Sequence, residues 1–227
     1  MAADAELFQS ARRELFSAVI GDVMDKLGFQ HQFLPPAIMP LERGMVVCGR
    51  AMTVLEADCF DECLEGSHNP ISARPFGLML EALDDLKADE VYICTGASPR
   101  YALWGELMTV RAMKCGAAGA VLDGYSRDTR GVLSLGFPTF SHGSYAQDQG
   151  PRGKVLDFRI PIQLGQVRVA PGDIVFGDLD GVCVVPQAAE REVLDAAFDK
   201  ARKEKVVRKA LEEGMRAQDA FEEFGIL

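Results

Sequence analysis

Long apolar runs are missing from this sequence, and so is any excess of positive charge. No window approaches the roughly 18 consecutive apolar residues that a membrane-spanning helix needs. Residues 1–13 include acidic side chains and have no apolar centre, so we expect no signal peptide. The formal net charge is −10, and no basic patch with interleaved aromatic residues occurs. These absences argue against a membrane protein and against binding to nucleic acid.

Several cofactor motifs are also missing. No Gly-x-Gly-x-x-Gly follows a predicted strand, so a dinucleotide-binding or methyltransferase site has no support. Asp178 and Asp180 lack the calcium-loop pattern around them, and a turn between strands accounts for both. The spacing of Cys59 and Cys63, followed by His68, resembles part of a zinc site without a second pair of ligands. Ordinary loop residues are the favoured interpretation of these three.

The cysteine content and the overall composition indicate a reduced, globular protein. Six cysteines are scattered along 227 residues, mostly within apolar stretches, which favours free thiols and a cytoplasmic location over a disulfide framework. Apolar residues make up 48% of the chain and charged residues 26%, which is ordinary for a globular protein. Without repeats or low-complexity linkers, residues 1–227 are predicted to form one domain, in which 188–227 is a C-terminal helical extension.

Helical and strand-like patterns alternate in the middle of the chain. Apolar strands at 91–94 and 118–122 flank a helix at 105–115, which Gly116 is expected to end. This order predicts parallel strands and an α/β fold. The remaining predicted elements are a helix at 15–27, a strand at 45–55, a surface loop at 56–74, a helix at 76–86, a strand at 138–140, a hairpin at 158–169, strands at 174–176 and 182–185, and helices at 188–215 and 216–224.

Two segments that could bind a ligand or take part in catalysis are expected at one edge of this sheet, because ligands in open α/β sheets bind at the carboxyl ends of the strands. One is the start of the helix at Gly105-Glu106-Leu107-Met108, whose free backbone N–H groups can hold a carboxylate. The other is the loop that contains Arg127 and Asp128. The Arg127 guanidinium suits carboxylate or enolate oxygens, while Asp128 and Glu106 offer the oxygen ligands that Mg²⁺ or Mn²⁺ accepts. A surface ion pair and a carboxylate that complements the helix dipole are the simpler alternatives.

The spacing of these residues resembles the signature of a known enzyme family. Glu106 precedes Arg127-Asp128 with 20 residues between them, as in the acidic-x20-Arg-Asp signature of the class II 4-hydroxy-4-methyl-2-oxoglutarate/4-carboxy-4-hydroxy-2-oxoadipate aldolases. The regulators of ribonuclease activity A, the RraA-like proteins, are related to this family and share its fold. The resemblance covers roughly residues 12–227 except for the loop at 56–74. Similar motifs lie at 104–108, 116–124, 136–138, 169–173 and 177–186.

The resemblance implies a fold and an assembly. The fold would be a swivelling-domain β/β/α sandwich, with a mixed sheet, flanking helices and a C-terminal helical tail. The assembly would be a homotrimer or homohexamer with active sites between subunits. Two departures leave the preferred substrate open. Some aldolases of the family have a further acidic residue where this chain has Arg130-Gly131, and the loop at 56–74, with Asp58, Asp61 and Glu62, is unlike theirs.

The resemblance also implies a role for each candidate residue. Asp128 would coordinate Mg²⁺ or Mn²⁺ directly, and Glu106 would bind the metal through a water that acts in proton transfer. Arg127 would bind the keto oxygen of a small 2-oxo acid and stabilise the pyruvate enolate. The helix start at Gly105, with the backbone amides of Leu107 and Met108, would hold the pyruvyl carboxylate.

Glu204 in the late helix is a further candidate, contributed by a second subunit as a base for the 4-hydroxyl proton or as a metal ligand. A solvated helix carboxylate explains Glu204 equally well. The implied activity is a metal-dependent lyase that forms pyruvate by retro-aldol cleavage or by decarboxylation of oxaloacetate. The alternative is a non-catalytic protein that binds and inhibits a partner such as a ribonuclease.

Overall fold

The computed structural model describes residues 2–59 and 68–226. Its helices are α1 (Ala2–Glu14), α2 (Ser17–Lys26), α3 (Met79–Asp84), α4 (Glu106–Cys115), α5 (Thr129–Ser134), α6 (Glu190–Glu212) and α7 (Ala217–Phe224). Its strands are β1 (Met39–Pro40), β2 (Val47–Asp58), β3 (Glu90–Thr95), β4 (Ala102–Trp104), β5 (Gly119–Leu122), β6 (Tyr125–Ser126), β7 (Thr139–Ser141), β8 (Gly153–Phe158), β9 (Ile162–Leu164), β10 (Val167–Val169), β11 (Ile174–Asp178) and β12 (Gly181–Val185).

A mixed eight-stranded sheet organises the fold. Seven strands follow the order β1-β7-β5-β3-β2-β11-β12, and β8 pairs with β2 beyond this path. The predicted parallel arrangement is confirmed, because β2, β3, β5 and β7 are parallel neighbours. Strands β1, β8, β11 and β12 join the sheet in antiparallel pairs. The expected mixed sheet with flanking helices and a C-terminal helix is therefore present.

Alternating side chains on the central strands supply different hydrophobic cores. Tyr92 and Cys94 on β3 face the core that is covered by α3, α4 and α5. Val91 and Ile93 face the opposite core, under the β9–β10 hairpin. A third core lies between β11–β12 and helices α1, α2 and α6, so the C-terminal helix is packed against the N-terminal ones. In the described parts of the chain, no helix is both long and apolar enough to cross a membrane.

The sequence patterns predicted most helix and strand boundaries to within a few residues, but three predictions were wrong in part. The loop predicted at 56–74 begins too early, because β2 continues to Asp58 through its pairing with β8. The helix predicted at 76–86 is shorter, and Phe76 has a φ of 58°, which is not helical. The alternating pattern at 158–164 is not one strand, since Arg159 has a φ of 55° and separates β8 from β9. The predicted hairpin at β9–β10 is confirmed.

The cysteines are free wherever the chain is described, as expected; these are Cys48, Cys59, Cys94, Cys115 and Cys183. Cys63 lies outside the described residues, as do Asp61 and Glu62, so the prediction that Cys59, Cys63 and His68 are ordinary loop residues stays untested.

Candidate active site

A ribbon of two short parallel strands joins the segments expected to carry the chemistry. Strand β4 pairs with β6, with Ala102 opposite Tyr125 and Trp104 opposite Ser126. Directly after this ribbon, the backbone N–H of Arg127 donates to the carbonyl oxygen of Trp104 at 2.8 Å. Since β4 leads into α4 and β6 leads into the loop before α5, the ribbon sets the start of α4 beside Arg127 and Asp128.

The N-terminus of α4 has no side-chain cap, and buried hydrogen bonds of Thr109 stabilise its first turn. Gly105 is its N-cap, with extended backbone and no side-chain cap. The first backbone N–H groups of a helix have no acceptor within it, and those of Leu107 and Met108 belong to this first turn. Buried Thr109 braces the turn, because its hydroxyl accepts from Trp104 Nε1 at 2.7 Å and donates to the Gly105 carbonyl at 3.0 Å.

Asp128 occupies the junction between the loop and α5. Its backbone is left-handed, with a φ of 55°, and its carbonyl oxygen accepts from the backbone N–H of Gly131 at 2.8 Å. The carboxylate turns back towards α4, so that Oδ2 lies 3.4 Å from the backbone nitrogen of Glu106. A Cβ at position 105 would lie 2.7 Å from the same oxygen, which explains why glycine is found there.

Arg127 reaches across the site to a residue that sequence reasoning did not identify. Its Nη1 lies 2.5 Å from Oδ1 of Asp148, and its Nε lies 3.7 Å from Oδ2 of Asp128. The Arg127 side chain is 38% exposed, so it is held by these carboxylates and still faces solvent. No local pattern distinguishes Asp148, because its pairing with Arg127 depends on the tertiary fold.

Two adjoining cavities surround these groups. The more apolar one has a volume of about 450 Å³ and includes Arg127, Asp128 and the first turn of α4 in its wall. The other is open, with a volume of about 620 Å³, and is lined by Glu106, Asp128 and the first residues of α5. The lining of the first cavity is Phe76, Met79, Leu80, Leu83, Asp84, Ala102, Leu103, Trp104, Gly105, Leu107, Met108, Arg111, Arg127, Asp128, Asp148 and Gln149.

The donor set suits a cation that keeps most of its water. Across the described residues, no group of three or more His, Cys, Asp or Glu side chains is arranged to hold a metal. Asp128 and Glu106 nevertheless border the same open cavity. Mg²⁺ is commonly held by one or two carboxylates and several waters, and Mn²⁺ also prefers oxygen ligands. The residues present therefore fit Mg²⁺ or Mn²⁺.

A buried carboxyl group contacts Gln149, a residue in the wall of the apolar cavity. Glu56 is 2% exposed, and its Oε2 accepts a hydrogen bond from Nε2 of Gln149 at 2.8 Å. Burial raises the pKa of Glu56 to about 8, against a smaller opposing effect of the Cys94 thiol. A sequence signal for it existed, because Glu56 continues the alternation of buried Met52 and Val54 on β2.

Glu204 stands apart from these residues in the single chain. It lies on α6, where its Oε1 is 3.5 Å from Nζ of Lys200, and it does not line either cavity. Its predicted role requires a second subunit and stays a prediction.

The protein therefore has an α/β fold in which an uncapped helix start lies beside an Arg-Asp pair. A profile of the RraA-like family, described as Aldolase/RraA, matches residues 17–184. The chain belongs to the RraA-like family.

Individual relatives share the fold and modest sequence identity. The chain is 28% identical over 209 residues to a Halalkalibacterium halodurans protein named "Putative 4-hydroxy-4-methyl-2-oxoglutarate aldolase", covering 92% of this chain and 90% of that protein. It is 27% identical over 210 residues to protein DlpA of Legionella pneumophila, covering 92% of this chain but only 32% of DlpA, so it spans about a third of that relative. The chain also superposes on the crystal structure of Streptomyces coelicolor RraAS2, with a TM-score of 0.76 and 26% sequence identity. RraAS2 is described as an unusual member of the RNase ES inhibitor RraA protein family, and the match covers 90% of this chain and 96% of that one.

Proposed function

We propose that this protein is a divalent-metal-dependent lyase that acts on small 2-oxo acids and releases pyruvate. The observation that carries the proposal is that Arg127, Asp128 and the first turn of α4 line one cavity. Aldolase names among the relatives support the same reaction class. The substrates we propose are 4-hydroxy-4-methyl-2-oxoglutarate, by retro-aldol cleavage, and oxaloacetate, by decarboxylation.

Substrate binding follows from the charges of the site. The N–H groups of Leu107 and Met108, at the positive end of the α4 dipole, bind the carboxylate of the 2-oxo acid. Arg127 donates to the adjacent keto oxygen, and Asp148 orients its guanidinium from the other side. With the substrate bound in this way, positive charge would lie next to the oxygen on which the enolate charge develops.

Both proposed reactions leave the same electron pair on the pyruvate fragment. In retro-aldol cleavage the C3–C4 bond breaks, a base takes the 4-hydroxyl proton, and the bonding pair forms the enolate between C2 and C3. In decarboxylation the departing carbon dioxide leaves that pair behind. Protonation at C3 then gives pyruvate. Arg127 contributes by stabilising the oxyanion, an interaction that strengthens as charge develops.

Asp128 would hold Mg²⁺ or Mn²⁺ directly, and Glu106 would do so through water. When bound, the cation supplies Lewis-acid charge to the developing enolate. The carboxylate of Glu106 accepts hydrogen bonds from water at the mouth of the open cavity and so orients it for proton transfer.

We further propose a homotrimer or homohexamer in which Glu204 of a neighbouring subunit completes the site. Three apolar side chains on α4 support an interface there, because Leu107, Val110 and Met113 are 83%, 49% and 43% exposed. Sedimentation of the wild-type protein tests the assembly, and a monomer at assay concentration contradicts it.

The alternative function is a non-catalytic regulator that inhibits a ribonuclease, and the similarity to RraAS2 is the observation in its favour. An inhibitor has no need for a metal-ligand carboxylate beside Arg127. A thermal shift with Mg²⁺ or Mn²⁺ that disappears in Asp128→Ala therefore favours the lyase over the regulator.

The deciding experiment measures pyruvate release, coupled to lactate dehydrogenase, from oxaloacetate and from 4-hydroxy-4-methyl-2-oxoglutarate. Each substrate is tested with Mg²⁺, with Mn²⁺ and with excess EDTA. We expect metal-dependent turnover that is lost in Arg127→Ala and retained in the control Arg168→Ala, whose side chain is exposed on β10. Turnover no faster than the metal ion alone on both substrates, together with no thermal shift, would refute the lyase.

A further inference from the structure

We propose that Arg111 binds the distal carboxylate of a dicarboxylic 2-oxo acid, so that the apolar cavity holds its substrate by both ends. The proposal rests on the proposed lyase function and names a residue that determines substrate specificity within it. Arg111 lies on α4, one turn beyond the amides that bind the first carboxylate.

Arg111 and the carboxylate-binding turn face the same cavity. Leu107 and Arg111 are one helical turn apart, so they lie on one side of α4, about 6 Å apart along its axis. Side chains of a helix lean towards its N-terminus, which carries the Arg111 guanidinium back towards the first turn. Leu107, Arg111 and Arg127 all line the apolar cavity. A substrate with one carboxylate at the amides can therefore have its second carboxylate at Arg111.

Most hydrogen-bond donors of Arg111 are available to a ligand. Its Nε donates to Oδ1 of Asp84 at 2.7 Å, and this is the one polar contact of its side chain that the described residues provide. The donors on Nη1 and Nη2, at the end of the guanidinium, can bind both oxygens of a carboxylate. The Arg111 and Asp84 side chains are 44% and 69% exposed, so a ligand can reach this end. Asp84 thus orients Arg111 and leaves the edge that would bind the substrate unoccupied.

Much of the remaining cavity wall is apolar, which suits the carbon chain between two carboxylates. Buried apolar side chains contribute to this wall, namely Met79, Leu83, Leu103 and Trp104. The methyl group at C4 of 4-hydroxy-4-methyl-2-oxoglutarate would lie against such side chains while the C5 carboxylate reaches Arg111. The arrangement of charged and apolar groups therefore suits a dicarboxylate better than a monocarboxylate of the same length.

The two proposed reactions make different use of Arg111. In retro-aldol cleavage the C3–C4 bond breaks, and the C5 carboxylate stays a carboxylate in the departing pyruvate. Its contact with Arg111 therefore persists in the transition state. In decarboxylation of oxaloacetate the distal carboxylate itself becomes neutral carbon dioxide, so its attraction to Arg111 weakens as the bond breaks. Arg111 consequently favours aldol cleavage over decarboxylation.

The first test measures binding without turnover. Isothermal titration in the presence of Mg²⁺ compares 2-oxoglutarate with 2-oxopentanoate, which has the same chain length and a methyl group in place of the distal carboxylate. Neither compound has the 4-hydroxyl group that retro-aldol cleavage requires. We expect 2-oxoglutarate to bind about tenfold more tightly, because hydrogen bonds between charged groups contribute about that factor. Equal binding would overturn the proposal, and so would tighter binding of 2-oxopentanoate.

Arg111→Leu should remove this preference by weakening 2-oxoglutarate about tenfold and leaving 2-oxopentanoate unchanged. Arg111→Lys keeps the charge without the planar guanidinium and should retain part of the preference. Arg168→Leu is the control, because Arg168 is exposed on β10 and lies outside the cavity, and it should bind both compounds as the wild type does. An unaltered preference in Arg111→Leu, at an unchanged melting temperature, would contradict the role of Arg111.

Asp84→Asn tests the same site in the opposite direction. Asparagine keeps an oxygen that can accept from Nε of Arg111, but it removes a negative charge close to the bound carboxylate. We therefore expect 2-oxoglutarate to bind about two- to threefold more tightly and 2-oxopentanoate to bind as before. An unchanged affinity for 2-oxoglutarate would place its distal carboxylate away from this ion pair and contradict the proposal.

Turnover provides a second measurement of the role of Arg111. In Arg111→Leu, kcat/KM for 4-hydroxy-4-methyl-2-oxoglutarate should fall about tenfold, because the contact persists in the transition state. Decarboxylation of oxaloacetate should fall less in the same variant. A greater loss with oxaloacetate would contradict the preference for aldol cleavage.

Exchange of the pyruvate methyl protons in D₂O, followed by NMR, separates failure of this proposal from failure of the lyase. Pyruvate has no distal carboxylate, so its exchange should require Arg127 and not Arg111. If exchange requires Arg127 but Arg111→Leu binds 2-oxoglutarate as the wild type does, only the role of Arg111 is wrong. If no exchange exceeds that caused by the metal ion alone, the lyase proposal fails, whereas a binding preference that depends on Arg111 would still establish the distal carboxylate site.

Discussion

The carboxylate of Glu106 occupies the space that a Cβ at position 131 would need. A Cβ at position 131 would be 2.3 Å from Oε2 of Glu106 and 2.4 Å from its Cδ. Position 131 also belongs to the Arg130-Gly131 pair, where some aldolases of the resembling family have a further acidic residue. In this chain the space is filled instead by the carboxylate of Glu106, which thereby borders the open cavity beside Asp128.

Gly131→Ala is predicted to lower activity without lowering stability. The new methyl group must push the Glu106 carboxylate aside, and we expect a loss of about ten- to hundredfold in turnover, as for other residues that support a metal site. Because Gly131 lies within α5 and has no positive φ, alanine should raise the free energy of unfolding by about 0.5–1 kcal/mol. Steady-state kinetics and urea unfolding measure the two effects. Gly44→Ala is the control, because Gly44 is exposed and a Cβ there would have no atom within 4 Å. Equal activity of the two variants would contradict the role of Glu106.

Asp148→Asn is predicted to reduce kcat/KM by about ten- to hundredfold, because Arg127 loses the ion pair that orients its guanidinium. Both side chains are partly exposed, so the free energy of unfolding should change by less than about 1 kcal/mol. Pyruvate release and chemical unfolding provide the measurements. Asp180→Asn removes a carboxylate at an exposed turn and should leave kcat/KM unchanged. Full activity of Asp148→Asn would mean that Asp128 alone positions Arg127.

Thr109→Val is predicted to destabilise the protein. The substitution keeps the shape of the side chain but leaves the buried indole N–H of Trp104 without its acceptor. An unsatisfied buried donor costs about 1–3 kcal/mol, which urea unfolding would detect. Thr109→Ser retains the hydroxyl group and should lose less. Equal stability of the two variants would show that this hydroxyl does not brace the start of α4.

Glu56 is predicted to make stability depend on pH. Its pKa rises from 4.5 to about 8 in the folded protein, so between these values the folded state holds a proton that the unfolded state has released. The free energy of unfolding should therefore fall by up to about 1.4 kcal/mol per pH unit across this window. Glu56→Gln keeps an acceptor for Gln149 and removes the titration. The free energies of unfolding of wild type and Glu56→Gln, measured at pH 5, 6, 7 and 8, should differ least at pH 5 and increasingly as the pH rises. A difference that does not change with pH would contradict the raised pKa.

The parts of the fold that depend on local signals were predictable. Gly116 ends α4 because its left-handed backbone, with a φ of 81°, suits a residue without a Cβ, and the preceding helical pattern ends there. The hairpin turn at Gly165 is local in the same way, with a φ of 56°. Arg127, Asp128 and Glu106 were proposed from spacing and resemblance, and the structure brings them together.

The parts that depend on distant partners were not predictable. Strands β4 and β6 have two or three residues each and exist because they pair with one another, so neither carries a pattern of its own. Arg159 interrupts an alternating run, yet its conformation is fixed by ion pairs with Asp85 and Glu90, which lie far away in the sequence. Asp148 belongs to the same group, since only the folded chain reveals its contact with Arg127.

The bond between the Arg127 N–H and the Trp104 carbonyl has a consequence for recognising distant members of the family. Because this contact holds the start of α4 beside Arg127 directly, their relative position is not set only by the number of residues between them. A motif search that demands exactly twenty intervening residues would therefore discard proteins with the same arrangement, whereas one that allows a variable gap would retain them.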